Sequence, residues 1–157
     1  MNKEAPPLRM ADETRCQPIG WVRNSIEEPI MYGWEEVVSD ILIKEELSEA
    51  LDGLEGYSHV MVLFWMHYVG QDKRSLKKVH PRDRLDLPEV GIFATRTQYR
   101  PNPIGLTTVK LIRRSANVLR VVGLDAVDGT PILDIKPFSP RWDPAENCTT
   151  PPWTEKL

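Results

Sequence analysis

At 157 residues, with 41% hydrophobic and 27% charged residues and a net charge of −3, the chain has the size and composition of one globular domain. It holds no apolar run near the ~18 residues that a membrane-spanning helix needs, and its first residues lack the apolar core of a secretion signal. Cys16 and Cys148 form no CxxC and have no histidine cluster beside them, so neither a metal site nor a disulfide framework is expected, and a cytoplasmic protein with free thiols is.

Charge is unevenly spread. Residues 26–56 hold ten acids and one base, a net of −9, whereas residues 72–114 hold eleven bases and four acids, a net of +7. A basic segment inside an acidic chain suggests a polyanionic partner, unless the two halves neutralise each other on the surface. Fourteen prolines against nine glycines point to short strands with stiff connections.

In chain order, residues 1–17 are polar and proline-containing, which predicts a flexible tail. Residues 18–23 read as a first strand. Residues 24–34 form a loop around Pro29 and Gly33 and carry Met31, Tyr32 and Trp34. Residues 37–43 read as a second strand, and Leu47, Leu51 and Leu54 place a short helix over 46–54. The most apolar run, Val60 to Met66, is bracketed by His59 and His67 and reads as a fully buried strand over 57–67. Residues 69–89 are basic and aperiodic, a long loop of the kind that usually carries function or lacks order.

Residues 90–94 read as a strand that breaks into Thr95-Arg96-Thr97-Gln98-Tyr99-Arg100-Pro101-Asn102-Pro103. Two prolines fix φ and push Arg100 and Asn102 toward extended geometry. A rigid loop with two guanidiniums, an amide and a phenol is either a site held on a scaffold or a solvated connection. Strands follow over 106–112, 118–124 and 131–135, separated by a turn at Ser115-Ala116-Asn117 and an Asp/Gly turn at 125–130. Residues 141–157 read as an irregular, proline-rich tail. Seven strands, one short helix and no βαβ rhythm predict a mainly β protein, a small antiparallel β-barrel over residues 18–140.

Several kinds of chemistry have no motif here. There is no GxGxxG, no Walker loop and no GxSxG elbow. His59 and His67 stand about 26 Å apart along a strand, too far for one metal ion. Asp125, Asp128 and Asp134 do not follow an EF-hand spacing.

Three long stretches together resemble a known family. These are Gly91-Ile92-Phe93-Ala94-Thr95-Arg96, then Arg100-Pro101-Asn102-Pro103-Ile104-Gly105-Leu106, then Leu124-Asp125-Ala126-Val127-Asp128-Gly129-Thr130-Pro131-Ile132-Leu133-Asp134-Ile135-Lys136-Pro137. With Pro18-Ile19-Gly20, Leu54-Glu55-Gly56-Tyr57-Ser58-His59 and Leu63-Phe64-Trp65-Met66-His67, they resemble the TrmO/TsaA-like (YaeB) family over roughly residues 18–140.

The resemblance implies a β-barrel that binds S-adenosyl-L-methionine, works as a homodimer, and methylates N6 of threonylcarbamoyl-adenosine beside the tRNA anticodon. It implies cofactor contacts at His67, Tyr68, Arg96, Leu106, Val122, Gly123, Leu124 and Asp125. The Pro-Arg-Gln stretch frequent in the family after the first strand is replaced by Glu27-Glu28-Pro29-Ile30-Met31-Tyr32-Gly33-Trp34, and the additional C-terminal domain of longer members is not represented.

Methyl transfer from a sulfonium requires chiefly that nucleophile and methyl carbon be held in line. Arg96 is the candidate for the cofactor's carboxylate, and Gly123 allows close approach of adenine to backbone. The amide-like target nitrogen needs a proton acceptor, for which Asp125, Asp128, Asp134 and Tyr68 are candidates. Arg100, Asn102 and Lys136 are candidates for holding the substrate's carboxylate, and the 72–84 loop for gripping phosphates. Two other functions compete: a methyltransferase acting on a small molecule, which the altered 27–34 loop and the missing extension would suit, and a non-catalytic module that binds the cofactor.

Overall fold

The computed structural model describes residues 13–143 and 147–157. Most of the expected N-terminal tail (residues 1–12) and residues 144–146 of the expected C-terminal tail lie outside the described residues. Among the described residues there are eight strands: β1 (Gly20–Arg23), β2 (Val38–Ile43), β3 (His59–Trp65), β4 (Lys78–Val79), β5 (Val90–Gly91), β6 (Ile104–Ser115), β7 (Val118–Val122) and β8 (Pro131–Pro137). Six of them close into an antiparallel barrel in the order β1-β2-β7-β6-β3-β8, and β8 returns to β1. Closure leaves no unpaired sheet edge in the barrel.

Alternation places the core. Val60, Val62 and Phe64 of β3 point inward, as do Ile41 and Ile43 of β2 and Leu119 and Val121 of β7. These positions are β-branched or large and apolar, which suits a pleated buried face. The expected fully buried strand at 57–67 is therefore half correct. Met61, Leu63 and Trp65 face outward and are only partly covered, because a closed barrel has one interior. The twelve residues of β6 serve two neighbours: its first half pairs with β3 and its second with β7, across a register shift between Leu111 and Arg113. Such a bulge bends a strand around a barrel wall.

Two local expectations change. The helix over 46–54 is realised as a 3-10 helix at Glu45–Leu51 and a second short one at Leu54–Gly56. Its last leucine, Leu51, is buried in the barrel core. The strand expected at 90–94 contributes only Val90 and Gly91, which pair with β4 in a separate two-stranded ribbon, and Ile92–Ala94 turns as a 3-10 helix. The Phe93 side chain is left 76% exposed. Between β3 and β6 the chain leaves the barrel for residues 66–103 and returns at its point of departure, where the Met66 N–H donates to the Pro103 carbonyl at 2.8 Å. This excursion carries the central loop.

Candidate functional site

Two adjoining cavities open where the excursion meets the barrel, of about 620 and 530 Å³. Phe64, Met66, Arg96 and Asp125 line both. Arg96 comes from the central loop, Asp125 from the segment after β7, and Phe64 and Met66 from the end of β3. The larger cavity continues along the start of β6, from Ile104 to Thr108, and under Thr95, Thr97 and Arg100. The smaller continues under Trp34, His67, Tyr68, Tyr99, Ala126 and Val127.

The loop that presents Arg96 is stiff because Arg100 holds it. Its Nη1 donates toward the carbonyls of Ile92, Thr95 and Thr97, at 3.4, 3.1 and 3.4 Å, and its guanidinium lies over the Phe93 ring at 5.6 Å. Among the described residues Arg96 itself donates once, from Nη2 to the Leu106 carbonyl at 3.1 Å. That bond aims the guanidinium across the cleft and leaves its other donors for a ligand.

Asp125 is placed by a different set of contacts. Gly123 ends β7 with φ +93, a left-handed conformation that favours glycine, and its N–H donates to the Val37 carbonyl at 3.0 Å. Leu124 then buries fully in the core, and the chain emerges at Asp125. Asn24 clamps the segment that follows. Its Nδ2 donates to the Ser39 hydroxyl and the Ala126 carbonyl, both at 2.9 Å, and its Oδ1 accepts the Ile26 N–H. The Thr107 hydroxyl donates to Asp125 Oδ1, which orients the carboxylate toward β6.

The smaller cavity fits S-adenosylmethionine. Its volume lies within the range of small-molecule sites. Trp34, Tyr68, Tyr99 and Val127 supply apolar and aromatic surface for an adenosine, and Arg96 supplies a fork for a carboxylate. His67 lies against Tyr68, with ring centroids 4.2 Å apart, and its buried Nδ1 has no hydrogen-bond partner among the described residues. A ligand group or a water reaching this atom would satisfy it.

Of the residues singled out in the sequence, His67, Tyr68, Arg96, Leu106 and Asp125 converge here. Others do not. Val122, Gly123 and Leu124 position Asp125 without lining either cavity, and Ala126 and Val127 take that place. Asp128 sits in the tight turn and accepts the Asn24 N–H at 2.9 Å. Asp134 and Lys136 pair with each other at 2.8 Å on β8, outside both cavities. Asn102 is exposed, and its carbonyl accepts the Ile104 N–H at 2.7 Å. Arg100 lines the larger cavity but is committed to its own loop. In the basic loop, Arg74 donates to the Val69 carbonyl and lies over Trp65, while Arg82 and Arg84 hold the carbonyls of Leu157 and Lys156.

Sequence reasoning passed over Phe64, Met66, Thr107, Tyr99 and Asn24 as site residues. Strand parity on β3 and β6 carried a signal for the first three, but which end of the barrel is open is a tertiary fact.

Residues 25–144 match the model of the tRNA-methyltransferase O N-terminal domain. A protein of Methanothermobacter thermautotrophicus described as a probable S-adenosyl-L-methionine-binding protein is 40% identical over 130 residues, covering 80% of this chain and 90% of that protein. The tRNA (adenine(37)-N6)-methyltransferase of Mus musculus is 42% identical over 100 residues, 64% of this chain and 23% of that one. The crystal structure of TrmO from Pseudomonas aeruginosa superposes with a TM-score of 0.72 at 30% identity, covering 90% of this chain and 62% of that chain. This chain thus spans about three fifths of the solved protein. With the domain matched over most of its length and the barrel shared, the chain belongs to the tRNA-methyltransferase O family through its N-terminal domain.

Proposed function

We propose that this protein is an S-adenosylmethionine-dependent methyltransferase that modifies N6 of threonylcarbamoyl-adenosine beside the tRNA anticodon, working as a homodimer. The observation that carries the reading is the meeting of Arg96 and Asp125 at the junction of two cavities. One cavity suits the methyl donor, and the other leaves room for a modified base.

When bound, S-adenosylmethionine supplies an electrophilic methyl group on a sulfonium. The side chains of this chain hold the partners around it. Arg96 and His67 anchor and orient the donor, while Trp34, Tyr68 and Tyr99 exclude water from it. Asp125, turned toward β6 by Thr107, takes the proton of the target nitrogen as that atom attacks. It also lies where a carboxylate favours the cationic side of the reaction. The hydroxyls of Thr97 and Thr108 offer donors to the polar substituent of the base. Phe93, Ile104 and Leu106, 76%, 41% and 45% exposed beside the larger cavity, supply an apolar rim for a second copy of the chain. Lys73, 6.0 Å from the Tyr99 ring centroid, and the neighbouring Lys77 and Lys78 are the bases of the excursion left for phosphates.

The test is transfer of an isotopically labelled methyl group from S-adenosylmethionine to tRNA containing threonylcarbamoyl-adenosine, read by mass spectrometry of the nucleosides. Labelled N6-methyl product is expected. Tight cofactor binding by calorimetry with no labelled tRNA nucleoside would move the protein to the small-molecule reading. Absence of cofactor binding would remove all methyl-transfer readings together.

A further inference from the structure

A second feature lies on the outer wall of the barrel, away from the cleft. Strand register sets four charged residues in one row across β1, β2, β7 and β6. Arg23 stands opposite Asp40, Asp40 opposite Arg120, and Arg120 opposite Arg113. Asp40 and Arg120 form a two-pronged pair, with Nε and Nη2 each donating to a carboxylate oxygen at 2.7 Å. One carboxylate is thereby matched by one guanidinium. Arg23 and Arg113 flank the pair, both exposed, and neither has an ion-pair or hydrogen-bond partner among the described residues.

A hollow of about 180 Å³ lies beside the row, lined by Asp40, Arg113, Ser115, Val118 and Arg120. The row therefore carries two surplus positive charges, together with a hydroxyl, on a chain whose net charge is −3. Guanidinium forks match phosphate oxygens, and fixed strands hold the spacing between them.

We propose that this row is a second docking site for the tRNA, gripping phosphates of its backbone while the cleft holds the modified base. The inference rests on the tRNA reading of the cleft and adds where the remainder of the RNA lies. Arg113 is five or six residues along β6 from Thr107 and Thr108 of the larger cavity. By the rise of a strand that is about 16–20 Å, a span that a single stem–loop covers. The row reads charge and shape rather than base identity, as backbone contacts do.

The experiment is fluorescence anisotropy of the full chain with a labelled tRNA anticodon stem–loop over a series of salt concentrations. The double variant Arg23→Ala/Arg113→Ala is compared with Arg23→Lys/Arg113→Lys. Loss of two phosphate contacts should weaken binding by about tenfold or more at about 0.15 M salt. It should also make the dependence of log affinity on log salt shallower by about 1.8. The lysine pair should keep most of both, and S-adenosylmethionine binding by calorimetry should be unchanged in either.

If the alanine pair retains native affinity and slope, the row is a solvated face and the inference is wrong, with the reading of the cleft intact. The inference is equally wrong if affinity falls with the slope unchanged, since the residues would then act through the fold. If polyglutamate binds the chain more tightly than the stem–loop at equal charge concentration and loses that affinity in the alanine pair, the partner is an acidic protein segment and not RNA. Failure of the unaltered chain to bind the stem–loop at any salt overturns this inference and the tRNA reading together.

Discussion

Arg96 and Arg100 stand four positions apart in one loop and carry the same guanidinium, yet the fold gives them different tasks. Arg100 donates inward to three carbonyls of its own loop, so it braces the segment. Arg96 makes a single bond to the Leu106 carbonyl and faces the cleft. No local pattern separates the two, because the difference lies in where the loop crosses β6. The aspartates sort the same way. Asp128 caps the chain after β1 and Asp134 pairs with Lys136, which leaves Asp125 at the junction of the cavities. Asp125→Asn keeps the shape and the Thr107 contact but removes the proposed proton acceptor. Single-turnover methyl transfer should fall by about 10²–10⁴-fold while calorimetric cofactor affinity changes little. Loss of cofactor binding with the residual rate per bound complex unchanged would assign Asp125 to the donor instead.

At the scale of elements, the start of β6 forms one wall of the cleft and depends on a missing side chain. Gly105 pairs with Phe64 across β3 and β6, and a Cβ at Gly105 would run into the Phe64 ring. That ring lines both cavities, so the close approach shapes the site as well as the sheet. Gly105→Ala should destabilise the protein by about 1–3 kcal/mol, as overpacking does, and weaken cofactor binding by about tenfold. Trimming the ring in Gly105→Ala/Phe64→Leu should restore binding in part, and equal loss in single and double variants would place the effect elsewhere. The strand expected at 90–94 belongs to the same lesson. Its apolar residues pattern as a strand, but the sheet has no place for it. Ile92 buries within the excursion, and Phe93 is turned outward with the Arg100 guanidinium over its ring.

For the molecule as a whole, barrel closure brings distant charges into contact. Asp40 and Arg120 are 80 positions apart and meet because β2 pairs with β7. The hydrogen bonds from Arg120 hold the Asp40 carboxyl below its ordinary value of 3.8, with Arg113 and Arg23 acting in the same direction and partial burial opposing them. A carboxyl depressed in the folded state adds stability above its unfolded pKa, and that stability is lost as pH falls through the folded value. Urea unfolding should therefore show Asp40→Asn less stable than the native chain at about pH 7, with the gap closing below about pH 3.8. A gap of the same size at about pH 3 would show that the carboxylate's charge contributes nothing. The closed barrel likewise resolves the acidic and basic halves only in part. Arg114 is matched by Asp52 and Glu55, whereas Arg23 and Arg113 are left over among the described residues.

The order of residues alone was enough for the mainly β class, most strand positions and the family motifs, because side-chain alternation and turn residues are local properties. It also pointed to the central loop, since rigid polar segments between apolar strands are exposed wherever the strands lie, but it left Asp125 as one of four candidate proton acceptors. The pairing of strands into a ring, the bracing of the central loop by Arg100, the clamp from Asn24 and the row of arginines on the outer wall came only from the folded chain. Each of these depends on residues far apart in sequence being brought within hydrogen-bond range, and no pattern along the chain encodes which strand lies beside which.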